Sequence, residues 1–84
     1  SKLTVASTAI RTAQPLADAT QLITLIATGP CRFEVGDAAV TADPDASPFL
    51  YPGIYVDVPL RLNERHVSFI AESEPCIAYV IARA

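Results

Sequence analysis

Apolar and polar residues alternate with a period of two along most of this chain, and proline, glycine or aspartate interrupts the alternation at short intervals. Successive side chains of a strand point to opposite faces, so this period marks extended chain half-buried on a pleated surface. A helix needs apolar residues three and four apart. Only residues 13–22 approach that spacing, and Pro15 and the β-branched residues weigh against it.

From the N-terminus, "KLTVASTAIR" (2–11) is a first strand, with an extended arm over residues 1–12 as the alternative. "TAQPLADAT" (12–20) is a connection marked by Pro15 and Asp18. "QLITLIA" (21–27) is apolar on both faces, as in a central strand covered on both sides. After the turn "TGP" (28–30), "CRFEV" (31–35) puts Cys31, Phe33 and Val35 inward and Arg32 and Glu34 outward.

Gly36 and Asp37 then stop the run and predict a tight hairpin or a bulge. "AAVTA" (38–42) reads as a short edge strand, and "DPDASP" (43–48) as a loop. Pro52-Gly53 is a second turn. "IYVDVPLRL" (54–62) follows as a strand whose second half Pro59 places at a sheet edge or bulge. "HVSFIAE" (66–72) and "CIAYVIA" (76–82) are two further strands, with "SEP" (73–75) as a hairpin connection between them. The fold expected is all-β: one small domain over residues 1–84, a β-sandwich or barrel-like fold of about seven or eight short, mostly antiparallel strands.

The totals bound the function. A chain of 84 residues buries a smaller share of its surface than a large one, yet 51% of this one is hydrophobic and only 18% charged. Such an apolar excess points to surface buried against other subunits. The six basic residues, Lys2, Arg11, Arg32, Arg61, Arg65 and Arg83, are nowhere adjacent and the net charge is −3, so nucleic acid is not expected as a partner. No stretch approaches the roughly 18 apolar residues of a membrane-spanning helix, and "SKLTVAST" lacks the long apolar core of a signal peptide.

No catalytic constellation emerges. His66 is the only histidine, and at the start of a strand it reads as a surface or cap residue; Ser68 and Asp57 are its nearest candidate partners, and no nucleophile motif surrounds them. The three glycines are isolated, so no phosphate loop exists. Asp43 and Asp45 lack the glycine and bidentate glutamate of a calcium loop and read as a solvated turn. Glu64, Glu72 and Glu74, in or beside turns, serve solubility and edge protection. Cys31 and Cys76 read as two buried free thiols, or as a disulfide if their strands lie side by side; with one histidine they do not make a zinc set. The expectation is a non-enzyme with no cofactor and no metal.

One feature of the loop region stands out. Phe49, Leu50 and Tyr51 are adjacent beside an acidic, proline-containing stretch. In extended chain, Phe49 and Tyr51 point one way and Leu50 the other, so one side caps the sandwich and the other faces outward. With Tyr55, these residues are the candidate protein interface, while Gly36, Asp37, Pro52 and Gly53 are structural turns. A sugar-stacking platform formed by Tyr51 and Tyr55 is the competing reading, and a small enzyme or barrel with a metal site is a third.

The stretch "CRFEVGDAAVTADPDASPFLYPGIYVDVPL", with "RHVSFIAESEPCIAYVIA" after it, resembles a group of small tailed-phage virion proteins. The matching positions are Phe33, Gly36, Asp37, Val40, Thr41, Ala42, Ser47, Leu50, Pro52, Gly53, His66 and Tyr79, across about residues 20–82. Cys31 and Cys76 are departures from the pattern, as is the lack of a glycine-rich C-terminal tail. The resemblance implies a non-catalytic β-sandwich that assembles with itself, often as a trimer. It would bind the major capsid protein or another virion protein as a head cement or decoration protein. Attachment at the neck, tail or fibre base is the nearest alternative. The implied location is the virion, after synthesis in the host cytoplasm.

Overall fold

The computed structural model describes residues 1–83 and is all-β. Its strands are β1 (Lys2–Val5), β2 (Ile10–Arg11), β3 (Leu22–Ala27), β4 (Cys31–Gly36), β5 (Phe49–Leu50), β6 (Val56–Pro59), β7 (His66–Ala71) and β8 (Cys76–Ala82). They form two four-stranded antiparallel sheets, one in the order β1-β8-β3-β6 and the other in the order β2-β7-β4-β5. Consecutive strands lie in different sheets at every step except β4 to β5. This is the winding of an eight-stranded jelly roll, a form of β-sandwich.

The alternation read from the sequence sets which side chains enter the space between the sheets. Leu3 and Val5 of β1, Ile23, Leu25 and Ala27 of β3, and Cys76, Ala78 and Val80 of β8 fill it from the first sheet. Cys31 and Phe33 of β4, Leu50 of β5, and Val67 and Phe69 of β7 fill it from the second. Burying these side chains is the main force holding the sheets face to face. β3 is central, between β8 and β6, but the cover expected on both of its faces is present on one only: Ile23, Leu25 and Ala27 enter the core, while Ile26 lies on the open outer side. Pro59 pairs with Leu22 on β6, an edge strand, where a residue with no N–H does least harm to the ladder.

Four further expectations are corrected. First, residues 2–11 are two strands in different sheets. Val5 pairs with Cys76 of β8, but the next carbonyl, that of Ala6, accepts from the Ala71 N–H of β7 at 2.8 Å. The chain bends through Ser7 and Thr8 and turns the corner of the sandwich there. This places residues 2–5 within the chain's own sheet, paired along β8.

Second, "SEP" does not close a hairpin. β7 and β8 belong to opposite sheets, so Glu72–Pro75 arches from one to the other. Local sequence cannot separate an arch from a hairpin, because both need a short polar break between two alternating runs.

Third, "AAVTA" is not a strand. Gly36 and Asp37 start a twelve-residue excursion, and the place beside β4 is taken by β5 instead. The Asp37 carboxylate accepts from the Ala39 N–H at 2.9 Å and its carbonyl from the Val40 N–H at 3.0 Å, which curls the chain back over Gly36. A Cβ at residue 36 would lie 2.9 Å from the Val40 Cβ, so only glycine allows this approach.

Fourth, the strand expected over 54–62 is confined to Val56–Pro59. Residues 12–21 form a connection with no helix. The Arg65 guanidinium gathers the carbonyls of Ala17, Thr20 and Arg61 at 2.7–2.9 Å and holds that connection against the turn before β7.

Candidate functional site

The outer faces of the two sheets differ, and the difference follows from where the long β4–β5 connection lies. On the second sheet, Ser68 and Ile70 of β7 and Arg32 and Glu34 of β4 point outward. Residues 37–48 fold across them. The Ala42 N–H donates to the Ser68 hydroxyl at 2.9 Å. The Ser47 hydroxyl donates to the Glu34 carboxylate at 2.9 Å and itself accepts from the Asp43 N–H at 2.8 Å. Arg32 donates to the Ser47 carbonyl at 2.9 Å, and Arg11 to the Val40 carbonyl at 2.8 Å. As a result Ser68, Ser47 and Ala42 are each 2% exposed or less, and this face carries its own cover.

The outer face of the first sheet has no such cover. Register brings Ile26 of β3 beside Tyr79 of β8, and Thr24 beside both Ile81 and Asp57. Ile77, Tyr79 and Ile26 remain half-buried, Ile81 is exposed, and Tyr55 at the entry to β6 is 67% exposed. An open cleft of about 640 Å³ runs between Ile26, Tyr55, Tyr79, Ile81, Pro52 and Gly53. The Thr24 hydroxyl donates to the Asp57 carboxylate at 2.6 Å, so the polar pair on this face is satisfied within the chain. Lys2 lies at the β1 edge, in register with Tyr79, and Arg83 is exposed beyond the end of β8.

Of the candidate interface residues, the structure brings only some to the surface. Leu50 is fully buried, opposite Cys31 in the core, and offers nothing to a partner. Phe49 is half-buried on the other side of β5, beneath the Arg32 guanidinium, which sits 5.6 Å from its ring centroid. Tyr51 is 61% exposed and meets Phe49 edge-on, with ring centroids 4.7 Å apart. Tyr55 is on the open cleft of the first sheet, and Tyr51 is not among the residues lining it.

Pro52 and Gly53 carry the chain from one sheet to the other. The Gly53 N–H donates to the Ala27 carbonyl at 2.9 Å, and its φ of +76° is a conformation that side chains other than hydrogen resist. This turn therefore forms one wall of the cleft. Sequence reading did not single out Ile26, Ile77, Tyr79 and Ile81 as a surface. Residues 21–27 and 76–82 read as strands, but which of their two faces stays open depends on the path of a remote loop.

The remaining candidates are structural. His66, expected as a surface or cap residue, is instead buried: its Nδ1 lies 3.0 Å from the Thr12 carbonyl and 3.3 Å from the Thr12 hydroxyl, which ties β7 to the end of β2. The Asp43 carboxylate accepts from the Asp45 and Ala46 N–H groups at 2.8 and 3.2 Å and so closes its own turn. Glu64 caps the N–H of Arg61 at 2.7 Å, and Glu72 pairs with Arg32 at 3.1 Å. Among the described residues no three of His, Cys, Asp and Glu gather as a metal set, and no helix is long and apolar enough to cross a membrane. Cys31 and Cys76 are both free and buried. Burial, and then the neighbouring Cys76 thiol, push the Cys31 thiol up to about 12.

No family model, curated protein sequence or solved structure matches this chain.

Proposed function

We propose that this chain is a non-catalytic structural protein that acts by binding other protein surfaces, and that the open face of the first sheet is its contact. One observation carries the reading: the second sheet is sealed by the chain's own residues 37–48, while Ile26, Ile77, Tyr79 and Ile81 form an apolar patch with no cover. Contiguous apolar surface of this kind marks interaction sites in small proteins. A sheet face packs readily against a second sheet or a flat protein shell, whereas a self-sealed face does not.

The setting we propose is the virion of a tailed phage, with the chain as a head cement or decoration protein bound to the major capsid protein and assembled with itself. Sequence resemblance supports this setting, and so does the economy of a small module that becomes stable by burying apolar surface against copies of itself. A neck, tail or fibre-base position uses the same face. Sugar binding is a second reading favoured by one feature, the two tyrosines Tyr55 and Tyr79 that line the cleft.

Multi-angle light scattering over a concentration series tests the contact. The wild-type chain is expected to run at a multiple of 8.9 kDa. Ile81→Asp, at a position already 37% exposed, is expected to stay monomeric with its melting temperature nearly unchanged. A wild-type chain that remains monomeric throughout, or an Ile81→Asp variant that assembles like wild type, refutes it. Absence of the chain from purified particles of a phage encoding it refutes the virion setting, and binding on a glycan array with no self-association turns the reading to sugar.

A further inference from the structure

Cys31 and Cys76 open β4 and β8, strands of opposite sheets. Both side chains enter the core, 0% and 8% exposed. Around them the chain crosses between the sheets twice: Thr28–Pro30 joins β3 to β4, and Glu72–Pro75 joins β7 to β8. The two crossings hold the sheets close together at this end. The Glu72 N–H donates to the Pro30 carbonyl at 3.1 Å, and the Thr28 N–H to the Ile77 carbonyl at 2.9 Å. A Cβ at Gly29 would lie 2.8 Å from the Cys76 Cβ and 3.7 Å from its Sγ, so the chain leading into Cys31 is in direct contact with Cys76. Cys31 and Cys76 thus enter the same end of the core from opposite sheets.

We propose that Cys31 and Cys76 are an oxidisable pair that closes into a disulfide across the two sheets, with a low-molecular-weight disulfide as the oxidant, and that the bond stabilises the sandwich. Inter-sheet disulfides are an established way to pin β-sandwiches. The reaction is thiol–disulfide exchange. One cysteine thiolate attacks the oxidant and releases one small thiol, leaving a mixed disulfide on the protein. The second cysteine thiolate attacks that mixed disulfide and releases the other small thiol. Two protein thiols are oxidised, one external disulfide is reduced, and the two cysteine protons end on the released thiols.

Burial governs when this happens. With both sulfurs in the core and the Cys31 thiol held neutral, the closed sandwich presents almost no thiolate to solvent. Exchange therefore runs while the chain folds, or when this end of the sandwich opens. The same burial then shields the bond from reductants. The ring closed spans about 45 residues, from the second sheet through β5, β6 and β7 to the first, and a loop of that length is restricted strongly in the unfolded chain once it is cross-linked. The thiol pair is a property of the chain by itself and does not depend on the proposed function.

The test uses the wild-type chain, refolded from urea either in a glutathione redox buffer or with a phosphine reductant. Intact mass, a non-reducing peptide map and thermal melting are then read on both samples. The expected oxidised product is a single chain lighter by two hydrogens, with a Cys31–Cys76 peptide, melting on the order of 10 °C above the reduced form. Glutathione adducts that persist on both cysteines, disulfides only between chains, or a closed form that melts no higher than the reduced one would each overturn the proposal.

Discussion

Replacing Leu50 by alanine separates the two sides of the Phe49-Leu50-Tyr51 stretch. Leu50 is fully buried in the core, opposite Cys31, on a strand of only two residues. Truncation removes the transfer free energy of the deleted side-chain carbons and adds a cavity term, and buried Leu→Ala changes cost about 2–5 kcal/mol. The position within that range depends on how far the site can collapse. β5 is held at both ends: the Phe33 N–H donates to the Pro48 carbonyl at 3.0 Å on one side, and the Gly53 N–H to the Ala27 carbonyl at 2.9 Å on the other. A strand pinned in this way relaxes little into the void, which argues for about 3–4 kcal/mol. A domain of this length is stable by only about 4–13 kcal/mol, so the substitution removes a large part of it.

Tyr51→Ala deletes a side chain that is 61% exposed. Its principal packing is the edge-on meeting with the Phe49 ring, worth about 0.5–1.5 kcal/mol. Urea unfolding followed by far-ultraviolet circular dichroism measures both changes. A large fall in the midpoint is expected for Leu50→Ala and a small one for Tyr51→Ala, with the same slope in each. A Leu50→Ala cost below about 1 kcal/mol, or a Tyr51→Ala cost above that of Leu50→Ala, refutes the assignment of Leu50 to the core and Tyr51 to the surface.

Two other groups give effects of predictable sign. Ser68→Ala leaves the N–H of the buried Ala42 without its acceptor and should cost about 1–3 kcal/mol, with faster hydrogen exchange in residues 40–47; a change below about 0.5 kcal/mol with unaltered exchange contradicts the idea that residues 37–48 are locked onto the sheet. The Cys31 thiol, raised from 9.0 to about 12, favours folding in its neutral form, so its contribution is whole below pH 9 and is lost as pH rises from 9 towards 12, by up to about 1.4 kcal/mol per pH unit. Under reducing conditions, wild type should lose stability more steeply than Cys31→Ala over that interval, and equal slopes would show that Cys31 ionises without cost.

Much of the fold is legible in the residues because strand periodicity is a local property. Val67 and Phe69, Cys31 and Phe33, and Ile23 and Leu25 all face the core where alternation puts them, and Pro59 lies on an edge strand for want of an N–H. Partner choice is not local. Nothing within "KLTVASTAIR" announces that Val5 pairs with β8 while Ile10 pairs with β7, and nothing within "SEP" says that its flanking strands part to opposite sheets.

The candidate site shows the same division. By itself the sequence determined that Ile77, Tyr79 and Ile81 share one face of a strand, that Leu50 points away from Phe49 and Tyr51, and that Gly53 allows a sharp turn. Only the tertiary structure decided that residues 37–48 fold over the second sheet and leave the first sheet's face open, and that Cys31 and Cys76 enter the same end of the core. The physical reason is that side-chain alternation is set by neighbours along the chain. Which face is sealed, and which thiols share one end of the core, is set by the winding of strands far apart in sequence.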